Sequence, residues 1–256
     1  MKDKLYIASI SQDAPELAKE YGIGLELDHY CTALNMDASC FAETHKQVQH
    51  EIEVAGHPRL LFHAPFNELY PAAIDPAVRE IAYQRYDQAY HLAKDTYQIN
   101  KMIVHSGYVP LIYYKEWHHD RSLEFWESYM RDKPESFTIY IENVMEDEPY
   151  MLARIAEQLD RKNIRLCLDI GHANCQSKIS ISEWIKVMSP YISHFHIHNN
   201  NGNQDEHGSL GEGTIHMAQT LEEIYHYCSK ETTITIESLD GRSSLEWMDK
   251  EGYLKG

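Results

Sequence analysis

IRLCLDIGH (164–172) and ISHFHIHN (192–199) are the two stretches on which the fold turns. Each is an apolar run of strand length that ends in chelating side chains, Asp169 and His172 in the first and His196 in the second. Six more such runs recur along the chain: LYIASI (5–10), IGLELD (23–28), LLFHAPF (60–66), MIVHSG (102–107), FTIYIEN (137–143) and TITIES (233–238). All but the first carry a chelating or acidic residue at or near the C-terminal end, which adds Glu26, His63, His105, Glu142 and Glu237. Such groups, arriving at the same end of successive strands, converge only if the strands are parallel and close into a ring. The regularity predicts a fold and a metal site together.

The segments between the runs read as helices. Asp13–Tyr21 opens with Asp and Pro, good residues for a helix start. Ser39–Gly56 is a long helical stretch, and Asp75–Tyr97 has an Asp–Pro start with apolar residues at helical spacing. Glu116–Arg131, Glu148–Leu159, Ser182–Met188, Ile215–Cys228 and Ser244–Leu254 follow the later runs. Several runs are apolar throughout, as strands buried on both faces are. No Pro/Gly/Ser-rich linker or composition shift interrupts the chain, so the expectation is one domain over residues 1–256, a (β/α)8 TIM barrel. An open doubly wound sheet is the weaker alternative, because no GxGxxG follows the first strand.

Composition narrows the function. Forty acidic against 23 basic residues give a net charge of −17. A surface this acidic repels a phosphate backbone, and no cluster of Lys and Arg offsets it, so nucleic acid is disfavoured as a partner. Five cysteines without a CxxC argue against a disulfide framework and fit a reducing cytosol; Cys167, inside a run, reads as core. The N-terminal run is too short to span a membrane and does not read as a signal peptide, so a cytoplasmic location is expected. Tyr113, Tyr114, Trp117, Trp126 and Tyr129 read as helix–helix core, with the face of a homo-oligomer as the alternative.

In a barrel of this kind the active site lies at the C-terminal ends of the strands. Glu142, Asp169 and Glu237 each end a buried run, where a carboxylate is costly unless it is paired or binds a metal. Ion pairing or helix capping would explain any one of them, but basic residues are scarce at these ends, and Arg165 starts its strand instead. His63, His105, His172 and His196 occupy comparable positions, and imidazole is the commonest metal ligand. His194, His196 and His198 alternate and so share one strand face. His91, His118, His119 and His226 read as helix-surface residues. The loops HAPFNELYPAAID (63–75) and HNNNGNQDEHGSLGEGT (198–214) look elaborated enough to shape the mouth, and Asp205 with His207 adds two chelators on a glycine-rich segment.

The ordered set HAP (63–65), VHSG (104–107), IEN (141–143), LDIGHAN (168–174), HIHN (196–199), DEHGSLGEG (205–213) and IES (236–238) resembles the xylose-isomerase-like TIM-barrel superfamily, which includes sugar-phosphate isomerases, epimerases and endonuclease IV. The resemblance runs over roughly residues 60–240. It implies a divalent ion (Zn, Mn, Mg or Co) on Glu142, Asp169, His196 and Glu237. It implies substrate contacts from His172, and His63, His105 and His198 join it as expected substrate-binding residues. In the isomerase and epimerase branch, Glu142 and Glu237 would be the catalytic pair that moves a proton beside the carbonyl of a sugar or sugar phosphate, through an ene-diolate. The endonuclease IV branch implies a larger zinc set that adds His63, His105, His172, Asp205 and His207, for phosphoester hydrolysis. All nine positions hold the matching residue type. Against the DNA-directed branch, the loop His29–Asp37 offers Tyr30 and Leu34 as wedges but no cation. Against a close match to the ketose epimerases, the segment after His196 has no arginine. A barrel that binds a sugar or metal without turnover is the third reading; its signature, a lost ligand, is missing. Glu26 takes no role at this level.

Overall fold

The computed structural model describes residues 1–255. Eight parallel strands pair in chain order and close on themselves: β1 (Leu5–Ala8), β2 (Gly24–Leu27), β3 (Leu60–His63), β4 (Lys101–His105), β5 (Thr138–Glu142), β6 (Ile164–Asp169), β7 (Ile192–Ile197) and β8 (Thr233–Ile236). Closure comes from the β1–β8 register, with Leu5 opposite Ile234 and Ile7 opposite Ile236. The strands are buried almost throughout, which is why they read as apolar runs instead of alternating ones.

Helices α1 (Ala14–Tyr21), α2 (Phe41–Val54), α3 (Pro76–His91), α4 (Lys115–Met130) and α5 (Tyr150–Leu159) follow β1 to β5. Asp75 caps α3 as its sequence suggests, accepting from Ala77 N at 2.8 Å. The expected helix Asp75–Tyr97 is divided, its last part, Leu92–Thr96, being wound as a π-turn. Two helices follow β6, where one was expected: α6 (Ile170–Gln176) starts directly on Asp169, and α7 (Ile181–Met188) comes after it. Helices α8 (Met217–Tyr227) and α9 (Gly241–Lys250) complete the ring.

The main core fills the space between strands and helices. A separate cluster of Tyr6, Leu61, Ile103, Tyr140 and Cys167 plugs the barrel interior. Side chains two residues apart share a strand face, so the plug places its successors one layer nearer the mouth. Those successors are His63, His105, Glu142 and Asp169. The register sets His105 opposite Glu142 and Asp169 opposite His196.

Three expectations change. His118 and His119 are buried under α4, with His118 against Tyr108 and Tyr113, and are not displayed on its surface, because the α4 face that carries them packs inward. Of the aromatic set, Trp126 and Tyr129 are core, whereas Tyr114 and Trp117 are exposed. Tyr30 is fully buried, stacked on Phe62 and bonded to Tyr97, so it is not available as a wedge. Among the described residues no helix is long and apolar enough to cross a membrane.

Candidate metal centre

The C-terminal strand ends bring ligand atoms of Glu142, Asp169, His196 and Glu237 within 4.8 Å of one another. His196 is the hub: its Nδ1 lies 3.1 Å from Glu142 Oε1, 3.2 Å from Glu237 Oε2 and 4.0 Å from Asp169 Oδ2. Asp169 does two jobs. Its Oδ1 accepts from His172 N at 2.6 Å and caps α6, while its Oδ2 faces the cluster without a partner. Glu142 Oε2 and Glu237 Oε2 likewise lack hydrogen-bond partners, although the atoms are buried. Among the described residues, the ion-pair contacts of these three carboxylates come from histidine alone. Three carboxylates gathered without a cation are costly. The orphaned oxygens and the mixed oxygen and nitrogen donor set therefore fit a divalent ion.

Supporting groups aim these donors. Asn143, the last residue of IEN, donates to Asp169 O and accepts from Asp169 N, both at 2.9 Å, and so locks the end of β5 to that of β6. On the far side of His196, Nε2 stands 3.0 Å from Glu26 Oε1, and Thr235 Oγ1 donates to the other Glu26 oxygen. Burial works against the Glu26 charge, yet His196 and His194 hold its carboxyl well below the usual range. Glu26 thus stands where a carboxylate would orient the His196 imidazole if that ring held an ion. The sequence carried a signal for it, since it lies in the first apolar run that ends in acid, but not for the ring it faces.

Two further clusters flank this centre. His63 Nε2 and His105 Nε2 lie 3.4 and 3.5 Å from Glu142 Oε2. His63 Nδ1 donates to Ala64 O, and Phe66 stacks on His105 at 4.1 Å, so the HAPF segment holds both rings. Burial is the main cause that drives His105 down to about 3, leaving a neutral imidazole competent to ligate. On the other flank, His172 Nε2 and His207 Nε2 meet Asp205 Oδ2 at 3.1 and 3.0 Å. His198, expected at the substrate, is instead fully buried beside this group, with Nε2 3.4 Å from Asp205 Oδ1. Gly171 makes room for its ring: a Cβ there would fall 2.0 Å from His198 Cε1.

The long loop after β7 is built on Asn199. Its side chain donates to Leu210 O and Ile215 O and accepts from Ile215 N, while its backbone pairs with Gly208. Gly213 has φ 105°, and a Cβ there would strike Asn199 Oδ1 at 2.5 Å. The GEG turn is thereby tied to a packing demand.

Above the clusters lies a cavity of about 400 Å³. Glu142, Glu237, His63, His105, His172, Asp205 and His207 line it, together with Asp28, Cys31 and Phe66, which the sequence reading did not select; neither Lys nor Arg is among the lining residues. Asp28 Oδ2 accepts from Ser9 Oγ and Ile10 N, and Oδ1 has no partner. Burial, followed by the nearby Glu26 charge, pushes the Asp28 carboxyl up to about 7.

Known proteins agree with this architecture. The crystal structure of a D-tagatose 3-epimerase-like protein is 23% identical and superposes with a TM-score of 0.76, covering 98% of this chain and 96% of that one. A protein of Thermus thermophilus, soaked with zinc chloride, is 20% identical with a TM-score of 0.78, over 99% and 98% of the two chains. The D-psicose 3-epimerase of Clostridium cellulolyticum is 16% identical with a TM-score of 0.72, over 98% and 99%. At these identities the likeness is one of fold. An uncharacterised protein of Methanocaldococcus jannaschii is 28% identical over 210 residues, 73% of this chain and 67% of its own length. A family model described as xylose isomerase-like TIM barrel matches residues 15–251. A closed eight-stranded barrel with chelating residues at its strand ends, matched by that model along nearly its whole length, is a member of the xylose isomerase-like TIM-barrel family.

Proposed function

We infer that this protein is a divalent-metal-dependent enzyme acting on a small sugar or sugar phosphate by proton transfer beside a carbonyl, as an isomerase or epimerase. One observation carries the reading: Glu142 and Glu237, from β5 and β8, converge on the same His196 nitrogen at 3.1 and 3.2 Å and both line a cavity of about 400 Å³. Glu142, Asp169, His196 and Glu237 would hold the ion, which supplies Lewis-acid stabilisation of the substrate oxygens during enolisation.

The chain's own groups do the rest. Glu237 and Glu142 approach from different strands, so one removes the proton beside the carbonyl and the other returns it on the opposite face or at the neighbouring carbon. Phe66 and Leu239 give the cavity apolar walls that limit access of water to the reacting carbon.

A specific observation favours a second reading, phosphoester hydrolysis. The His63–His105–Glu142 and His172–Asp205–His207 groups adjoin the central one, as a three-ion site requires. Charge separates the two. One divalent ion against Glu142, Asp169 and Glu237 leaves the site negative, which suits an uncharged sugar. Three ions make it positive, which suits a phosphoester.

The test is deuterium exchange. Protein loaded in turn with Mn²⁺, Co²⁺, Mg²⁺ and Zn²⁺ is incubated in D₂O with free ketoses, aldoses and their phosphates. Deuterium beside the carbonyl is expected, and its loss in Glu142→Gln and Glu237→Gln. No exchange with any sugar, together with zinc-dependent cleavage of bis-p-nitrophenyl phosphate or abasic DNA, overturns the reading in favour of hydrolysis.

A further inference from the structure

Tyr114 and Trp117, which the sequence leaves open as core or as the face of a homo-oligomer, stand at the surface with their rings 5.1 Å apart. They are not alone there. Leu111 is fully exposed, Tyr114 is exposed to 69%, Ile112 to 65%, Ile74 to 51% and Trp117 to 50%. Ile74 and Trp117 line one hollow of about 350 Å³ with Asp120, Arg121 and Glu124. Trp117, Arg121 and Glu124 recur at helical spacing on α4, so they share a face. Leu111 and Ile112 stand on the turn just before Tyr114, which Tyr113 N closes by donating to Val109 O at 3.2 Å. The β3–α3 and β4–α4 loops pack on each other: a Cβ on Gly107 would lie 2.7 Å from Pro71 Cδ and 3.2 Å from Leu69 O. The five side chains therefore form one apolar patch on the mouth side of the barrel.

Its size has a meaning. Whole aromatic side chains offer roughly 150–250 Å² and aliphatic ones about the lower figure, so these exposures leave about 600 Å² of apolar surface bare. A standard interface buries about 800 Å² on each partner, about 65% of it apolar in homodimers, or about 520 Å². One patch is thus enough for a dimer. Leu111 adds a second sign. Its backbone is left-handed, with φ 69°, a conformation that non-glycine residues rarely adopt, and it holds an apolar side chain clear of its neighbours. Charge narrows the occupant. A chain of net charge −17 repels anionic lipid, nucleic acid and its own copy over most of its surface. Residues 69–74 and 106–114 hold no charged side chain, so two copies meet there with the least repulsion. At the edge, Arg121 beside Asp120 and Glu124 supplies both signs, which pair across a two-fold axis, where residue i meets j and j meets i.

We propose that this patch is a two-fold dimer interface, in which Leu111 of each copy enters the hollow beside Trp117 of the other. A knob and a hole on one patch are what an isologous contact matches. The consequence reaches the metal centre. The same two loops leave the strands at His63 and His105, and Phe66 from the first stacks on His105. A second copy seated on them holds both in place. The inference goes beyond the proposed reaction and does not rest on it.

The test is sedimentation velocity on the full chain at micromolar concentrations, with wild type expected at twice the monomer mass of 29.8 kDa. The double variant Leu111→Glu/Ile112→Glu sets like charges against one another across the axis. It should weaken association by at least about 100-fold and give a monomer with unchanged circular dichroism. A wild type that stays at 29.8 kDa overturns the proposal and leaves the patch to an unlike partner. So does a variant that associates as wild type does, which puts the interface elsewhere. If the variant does not fold, hydrogen exchange on wild type decides. Diluted through its dissociation constant, the protein should exchange faster across residues 109–114 than when held concentrated, and equal exchange overturns the proposal. None of these readings involves deuterium incorporation into substrate, so the proposed function stands or falls separately.

Discussion

Substituting Gly171 by Ala sets two physical effects against each other, and the structure says which wins. Gly171 is the second residue of α6, where helix propensity alone favours Ala by roughly 0.5–1 kcal/mol. A Cβ at this position, however, lies 2.0, 2.2 and 2.6 Å from His198 Cε1, Nε2 and Nδ1, whereas ordinary contact begins at 3.4 Å. The ring has nowhere to retreat, being fully buried and stacked on His207 at 4.1 Å. Overpacking of this kind costs about 1–3 kcal/mol, and at this chain length each kcal/mol lowers Tm by about 2–4 °C. The assay is thermal and urea denaturation in the presence of chelator, for wild type, Gly171→Ala, His198→Ala and the double variant. Without the ring the methyl has space, so Gly171→Ala should become neutral or stabilising in the His198→Ala background. The cycle should then show about 1–3 kcal/mol of coupling. A Gly171→Ala variant more stable than wild type, or one that loses equally in both backgrounds, refutes the reasoning.

Other consequences can be measured independently. Glu26→Gln keeps its shape but withdraws the charge behind His196, and should weaken binding of the central ion about 10–100-fold; an unchanged zinc dissociation constant would mean that Glu26 does not orient the ring. Burial is the largest influence on Glu146 and pushes its carboxyl up to about 7, against hydrogen bonds from Ser106 and Val144. Its folded value exceeds the unfolded 4.5, so the stability it contributes is present below pH 4.5 and is lost as pH rises through 7. Glu146→Gln, neutral throughout, should therefore gain on wild type across that window, by at most about 3 kcal/mol; parallel stability–pH curves would contradict this. Asn199→Ala removes the hydrogen bonds that tie Leu210 and Ile215 to β7. It should cost about 1–3 kcal/mol and speed hydrogen exchange at Leu210 and Ile215, and unaltered exchange there would count against Asn199 as the loop's anchor.

How far the site was legible depended on the kind of neighbour each residue needed. Glu142, Asp169, His196 and Glu237 could be found because each ends an apolar run, and burial makes an unpaired carboxylate conspicuous. The chemistry of Asp169 was half legible: a cap and a ligand look alike in sequence, and it takes one oxygen to cap α6 and another to face the cluster. His118 and His119 were misplaced because a histidine inside a polar helical stretch says nothing about which helix face packs inward. Asp28 was passed over because a carboxylate just past a strand looks like a turn residue until Ser9 and Ile10 are seen to bind one of its oxygens and the other is seen to be buried without a partner.

The sequence by itself determined the parallel barrel and the end of it at which the chelating side chains gather. Both follow from local facts, the strand period of two and the burial of runs on both faces, and these need no knowledge of distant contacts. Only the tertiary structure decided which chelators share a centre. Ring closure brings β2 to the back of His196 and gives Glu26 a role, and it folds the Asp205–His207 loop against α6. It also turns His198 away from the cavity into the space that Gly171 leaves empty. Those pairings join residues 27 to 170 positions apart; their energies depend on atoms meeting across the barrel, which no local pattern encodes.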